Sequence, residues 1–264
     1  MKRNLLMMSL AAFSLLLMSC GGQSANKSGR TEAEDDAAAE EAADAKKAVV
    51  AENGDEGAPE GRTGDSEILN IRRVWDSQPI AVASDGKTVN IEVLASAFCK
   101  QYAKYKPNEV LRENLVGKPS YGEDDLGSLF NFENKSANGY LSCMAMIQYD
   151  WLTSCCYWKR SNGHKLVAFW LLETYEGDKK PACLLAFYDY DPATDTMTPE
   201  TGLTKKVEEK MSSFDAYTVH LPDEGKDINI TGHQIDYEED CAYNTDFLLR
   251  WNGNDFAIEQ VPSE

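Results

Sequence analysis

Apolar positions along this chain fall into three regimes. Residues 5–17 carry no charge at all. From 66 to 117 the apolar residues return every three or four positions, and from 139 onward they gather into short runs broken by polar turns. In the middle regime Ser66 stands before Ile68, Ile71 and Trp75, which share one helical face and stop short of Pro79. A second helix is expected from Thr88 or Asn90, with Ile91, Leu94, Phe98 and Tyr102 along one stripe. Lys106-Pro107-Asn108 interrupts it, a short helix then runs to Leu115, and Gly117 lies past its end. Aromatics on such a stripe predict a buried core rather than a ligand groove.

The third regime reads as strands. YLSCMAMIQY, TSCCYWKR, HKLVAFWLLETY and CLLAFYDY are aliphatic and aromatic runs, and Asn162-Gly163 and Asn252-Gly253 are the strongest short hairpin signals. FDAYTVHLP and KDINITG follow, joined by Asp223-Glu224-Gly225. The expected fold class is therefore α+β, with N-terminal helices packed on an antiparallel, hairpin-rich β-sheet. One globular domain is expected over 66–264, helical over 66–117 and β-rich over 139–264, and its length supports a sizeable core.

Charge changes the picture at the N-terminal side of this domain. Residues 31–67 hold 13 acids against Lys46, Lys47 and Arg62, with no aromatic residue. Such a stretch buries too little apolar surface to offset its ordering entropy. Residues 20–65 are therefore expected to be an acidic, flexible tether, partly helical in its Ala/Glu-rich first half, spanning about 35–40 Å as a random coil. The chain as a whole carries a net charge of −18. Nucleic acid is a poor partner for it, because phosphates need a basic face. No phosphate loop, dinucleotide fingerprint or fixed-period repeat is present, and no cofactor is expected.

The uncharged run follows Lys2 and Arg3, and from Leu5 to Leu17 it is 13 residues long. A spanning helix needs roughly 20, so the run predicts an export signal over residues 1–19. It ends in Leu17-Met18-Ser19-Cys20-Gly21. This stretch resembles the lipobox of Gram-negative envelope lipoproteins, with Leu three places before the cut, a small residue just before it, and then Cys. Met18 replaces the small or branched residue usual there. The resemblance covers only these first residues. It implies that the Cys20 thiol receives the lipid and that Cys20 anchors the chain in a membrane. Acyl chains contribute about 0.8 kcal/mol per buried methylene, so two or more anchor stably. Gly21 in place of Asp implies the outer membrane, with the periplasmic and cell-surface faces both open.

Candidate chemistry is sparse. Besides Cys99, the globular part holds Cys143, Cys155, Cys156, Cys183 and Cys241, which outside the cytoplasm suggest disulfides. A tight turn at 149–150 would set Cys143 opposite Cys155 or Cys156, and elimination leaves Cys183 with Cys241; buried free thiols are the alternative. Asp189, Asp191, Asp195 and Glu200 stand at positions 1, 3, 7 and 12 of a calcium-like loop. Ala193 and Thr194, however, occupy places where that loop requires a ligand and a Gly, so a Pro192-centred turn is expected there instead and no metal. His164, His220 and His233 are the available bases, and no nucleophile motif accompanies them. Trp151, Trp158, Trp170 and Trp251 could form a sugar-stacking strip or fill a core. No catalytic residue is singled out. The expected function is a lipid-anchored envelope protein whose domain binds a protein or a glycan. The alternative is a hydrolase that uses an unlocated carboxylate pair.

Overall fold

The middle regime of apolar spacing becomes three short helices laid on one face of a large sheet. The computed structural model describes residues 66–84, 86, 88–118, 130–146, 149–175, 181–236 and 241–262. The chain divides into two units, Met1–Thr63 and Gly64–Glu264, and every described residue belongs to the second. The apolar run, Cys20 and the acidic stretch up to residue 65 lie outside the described residues.

Helix α1 (Glu67–Val74) continues into a short 3₁₀ turn, Trp75–Ser77. Helix α2 (Ile91–Gln101) starts at Asn90, whose side chain accepts a hydrogen bond from the Val93 amide at 3.2 Å. Helix α3 (Lys106–Leu115) takes Pro107 in its first turn, where the missing N–H is unused in any case. Ser66 does not cap α1; its hydroxyl donates instead to Glu173 Oε2 at 2.6 Å, tying the start of the domain to the sheet. Between α1 and α2 lies a two-residue strand, β1 (Ile80–Ala81), within the segment expected to be helical.

Strands β2 (Phe130–Lys135), β3 (Tyr140–Met146), β4 (Tyr149–Lys159), β5 (Lys165–Tyr175), β6 (Ala182–Asp191) and β7 (Thr196–Pro199) follow as an antiparallel meander. With β1 added beside β7 they make a seven-stranded sheet, ordered β1-β7-β6-β5-β4-β3-β2. Helix α4 (Thr201–Met211) comes next, inside the half expected to be β-rich. Strands β8 (Ala216–His220), β9 (Ile228–Asp236), β10 (Cys241–Trp251) and β11 (Phe256–Gln260) then form a second sheet, ordered β11-β10-β9-β8. The class is α+β, but with two sheets in place of one.

The reason for the second sheet lies in β5 and β6. On β5, Val167, Phe169 and Leu171 face the helices while Leu166, Ala168 and Trp170 face the second sheet, and all are at most 1 % exposed. An antiparallel sheet with one wet face would alternate apolar and polar; these strands are apolar on both faces and need two covers. Helices α1–α3 supply one, and the second sheet with α4 supplies the other. On the helix side Phe98 stacks on Phe169 with centroids 3.8 Å apart. The Tyr105 hydroxyl donates to the carbonyl of Leu172 at 2.7 Å. Buried Asn108 donates to the Tyr102 carbonyl at 3.0 Å and accepts from Thr153 at 3.2 Å, so its amide is satisfied.

Both Asn-Gly hairpins form. In each only the glycine is left-handed, at φ +88° for Gly163 and +98° for Gly253. They are therefore longer glycine-closed turns rather than two-residue turns, which need both central residues at positive φ.

The register corrects the disulfide expectation. The β3–β4 register is symmetric about position 148 rather than about 149–150, so Cys143 faces Thr153, Cys155 faces Leu141 and Cys156 faces Tyr140. Cys155 points to the helices and Cys156 to the second sheet, as strand alternation requires. Cys99, Cys143, Cys155 and Cys156 are buried free thiols, so the hairpin bridge is not made; the Cys183–Cys241 expectation involves a side chain, that of Cys241, outside the described residues. Burial pushes the thiols of Cys143 and Cys156 up to about 12, and those of Cys99 and Cys155 rise as well. Native protein in mildly alkaline buffer should accordingly resist iodoacetamide at Cys99, Cys143, Cys155 and Cys156 and react at all four once denatured without reductant. Peptide mapping by mass spectrometry reads this directly, and a linked pair would contradict it.

Candidate functional site

The segment 188–200 lies at one end of the large sheet, and its four acids do not converge. Asp191 closes its own turn, accepting from the Ala193 amide at 2.8 Å and the Thr194 hydroxyl at 3.1 Å. Asp195 is left-handed at φ +48° and accepts hydroxyls from Tyr190 at 2.7 Å and Ser84 at 2.5 Å. Asp189 and Glu200 go to Arg160, at 2.5 and 3.3 Å. The four carboxylates are thus engaged separately, around a turn closed by Asp191. Its flanks are paired strands, which send its carboxylates to separate partners. Among the described residues no group of three or more His, Cys, Asp or Glu is placed to hold a metal ion.

Arg160 is the hub of this end of the molecule. Its side chain is 10 % exposed, and besides the two carboxylates it donates from Nε to the Asn254 carbonyl at 2.9 Å. One guanidinium therefore ties the β4–β5 turn to β6, to the start of α4 and to the β10–β11 turn of the other sheet. Planar multidentate bonding of this kind suits arginine rather than lysine. His164, in the same turn, places Nδ1 2.6 Å from the second oxygen of Asp189 and Nε2 3.6 Å from Asp191. The imidazole is fixed on both sides by carboxylates, and the cluster serves as a clasp between the two sheets.

The Asp195 carboxyl is held below the ordinary value by the hydroxyls of Ser84 and then Tyr190. The stabilisation it gives is therefore present at neutral pH and fades as the pH falls through that lowered value.

The outer face of the second sheet has a different character. Tyr217, Val219, Ile228, Ile230, Phe247 and Leu249 turn inward and are buried. The alternate residues Thr218, His220, Asn229, Thr231, His233, Asn244 and Asp246 turn outward. Thr218, Thr231, His233, Asn244 and Asp246 are bonded to one another across strands. His233 lies between Thr218, 3.2 Å from Nε2, and Asn244, 2.8 Å from Nδ1. The Thr231 hydroxyl donates to Asp246 at 2.6 Å. Behind this face Gly232 carries the Phe214 ring; a Cβ there would lie 2.7 Å from it, so only glycine lets the ring pack against β9.

The remaining sequence candidates fall elsewhere. Trp158 and Trp170 are buried between the sheets, and Trp251 is half-buried against Trp158 and Phe256. Trp151 is half-buried on β4. The four indoles therefore do not form one exposed strip. His220 is exposed on the outer face of β8. Burial raises the thiols of Cys155 and Cys156, the reverse of what a cysteine nucleophile needs. Sequence reasoning missed both the Arg160 hub and the outer polar rows. The rows were signalled by the strict alternation in Tyr217–His220 and Ile228–His233, whereas the hub joins residues far apart in the chain. Compared with known proteins, the chain matches no family model, no curated protein and no solved structure.

Three outcomes test this description. Arg160→Met should destabilise by about 3 kcal/mol, since it strands two partly buried carboxylates, whereas Arg250→Met at an exposed pair should change stability by about 0.5 kcal/mol or less; urea unfolding compares them. Gly232→Ala should cost about 1–3 kcal/mol through the clash with Phe214, and pairing it with Phe214→Leu should recover part of that loss. In Asp195→Asn the fall in thermal midpoint from neutral to acidic buffer should be smaller than in the parent chain.

Proposed function

We propose that this chain is a lipoprotein of the outer membrane, anchored through Cys20, whose β-rich domain is a non-catalytic module that binds another protein. The anchor is supported by the sequence alone: the charged start, the 13-residue uncharged run and Leu17-Met18-Ser19-Cys20-Gly21. Acidic residues 31–67 would be repelled by anionic headgroups and would hold the domain away from the bilayer.

The observation that carries the binding reading is the outward face of the second sheet. Its threonines, histidine, asparagine and aspartate are held in place by cross-strand hydrogen bonds, so little side-chain entropy is lost on contact with a partner. Protein is favoured over glycan because Trp158 and Trp170 are core residues, and sugar recognition leans on exposed aromatic faces. The hydrolase reading has less support, since the carboxylates of Asp189 and Glu200 are occupied by Arg160.

Cys20→Ser should leave an unprocessed precursor, abolish metabolic labelling by palmitate and release the chain from the membrane fraction; undiminished labelling would end the lipoprotein reading. A photoreactive residue at Thr231 should give a discrete protein adduct that Thr218→Ala with Asn244→Ala weakens. Co-sedimentation of the intact chain with purified peptidoglycan, unaffected by those substitutions, would favour a glycan instead.

A further inference from the structure

Asparagine stands before glycine four times in this chain, at 53, 138, 162 and 252. Asparagine is chemically labile: the backbone nitrogen of the next residue can attack its Cγ, and glycine has no side chain to hinder the approach. By sequence the four pairs are alike. Asn53 lies outside the described residues, and the other three differ in their hydrogen bonding.

The attacking nitrogen must first give up its proton, and an amide held in a hydrogen bond has to open before it can. The Gly139 amide donates to the Ser136 carbonyl at 3.1 Å, and the Gly163 amide to the Arg160 carbonyl at 3.1 Å. Asn138 is restrained further, because its side-chain nitrogen, the leaving group, donates to the Asp223 carbonyl at 3.1 Å. The β10–β11 turn is closed in another way. The Asn252 amide donates to the Asp255 carbonyl at 3.1 Å, and Asn252 Oδ1 accepts from the Asn254 amide at 3.0 Å and the Asp255 amide at 2.9 Å. Among the described residues nothing accepts from the Gly253 amide. Gly253 is exposed, and the space where its Cβ would stand is open. The two donors on Asn252 Oδ1 also stabilise the charge that develops on this oxygen when a nucleophile adds to Cγ. Asn162 Oδ1 has a single such donor, the His164 amide at 3.0 Å.

We propose that Asn252 is a site of spontaneous covalent modification, at which water converts the side-chain amide to a carboxylate through a succinimide and thereby loosens the clasp between the two sheets. Hydroxide takes the proton of the Gly253 amide, the bond from that nitrogen to Cγ forms, and the side-chain nitrogen leaves as ammonia with a proton from water. Water then adds to either ring carbonyl and breaks its bond to the Gly253 nitrogen, which gives aspartate or isoaspartate. The net change consumes one water and releases one ammonia, and nothing is oxidised or reduced. In the isoaspartyl product the main chain runs through Cβ and Cγ. It is one methylene longer, and the former backbone carbonyl carbon becomes a free carboxylate. That charge arises next to Trp251, whose amide donates to Asp227 at 2.8 Å, and close in sequence to Asp255. Two residues on, the Asn254 carbonyl is the acceptor that Arg160 Nε reaches from the other sheet. Lengthening and charging this turn moves that acceptor. The site depends on neither the lipid anchor nor the partner proposed for the outer face.

The test is to hold the full chain, purified in detergent, in mildly alkaline buffer at physiological temperature and to map its peptides over days. Conversion at Asn252, seen by chromatography and mass spectrometry as two deamidated peptides of equal mass, should outpace that at Asn138 and Asn162 several-fold. In chain unfolded by guanidinium chloride the three rates should converge. The thermal midpoint of the parent should fall as Asn252 converts, and that of Asn252→Gln, compared with its own fresh sample, should stay. Native conversion at Asn138 or Asn162 as fast as at Asn252 would overturn the assignment. So would an Asn252 that stays intact in the native chain while the unfolded chain reacts. An unchanged midpoint in fully converted parent, or an equal fall in Asn252→Gln, would overturn the link to the clasp.

Discussion

Strands β5 and β6 present apolar side chains on both faces, so the sheet they run through must be covered twice before it is stable in water. Each fully buried Leu, Phe or Val contributes about 1.5–3 kcal/mol, and a face of that kind left wet would cost the domain more than its typical net stability. The helices and the second sheet are thus two answers to one requirement. Phe98 on Phe169 closes one side; Trp170, packed at 5.4 Å from Tyr217, closes the other. Residues with little apolar burial of their own, such as Arg160 and Asn108, matter because they fix how the covers sit.

How much of this was legible in the sequence depended on the range of the interactions. The stripes Ile68–Ile71–Trp75 and Ile91–Leu94–Phe98–Tyr102 are local patterns, and they mark buried helix faces. The Asn90 cap and the two Asn-Gly turns are local as well. Helix α4 was just as readable, through Leu203, Val207 and Met211, but the surrounding strand-like runs obscured it. The unbroken apolar runs of β5 and β6 implied two covers, a clue that short strands in isolation do not force. Register at the β3–β4 turn could not be read from spacing alone, and one misplaced turn sent Cys143 to the wrong partner. At the candidate site the four acids of 188–200 were visible, but not their partners: Arg160 and Ser84 lie 29 and 111 residues from Asp189 and Asp195 respectively.

The acidic excess is arranged so that the interior hardly feels it. The clasp gathers opposite charges around the nearly buried Arg160, and Arg72 and Glu208 pair at 2.5 Å between α1 and α4 at a more exposed position. Lys165 lies over the rings of Tyr157 and Tyr190, at 4.9 and 5.5 Å, and donates to the Val89 carbonyl. The outer polar rows of the second sheet, by contrast, use neutral donors and acceptors for most of their contacts. A surface of that kind loses little affinity to salt, since screening acts on exposed charges and hardly on hydrogen bonds.

Strand β1 is only two residues long, yet Ile80 pairs with Met197 and Ala81 with Thr196. This small pairing closes a chain segment holding α2, α3 and most of the large sheet. Contacts of such sequence separation form late, because the loop entropy is lost before the pairing repays it. During synthesis, then, the first helices emerge without the edge that receives β1 and without the strands they cover. The N-terminal elements have to wait for the meander, and the meander for its second cover, which is encoded last. A chain built this way has no early folded half to stall on, and an interrupted one exposes the whole apolar wall at once.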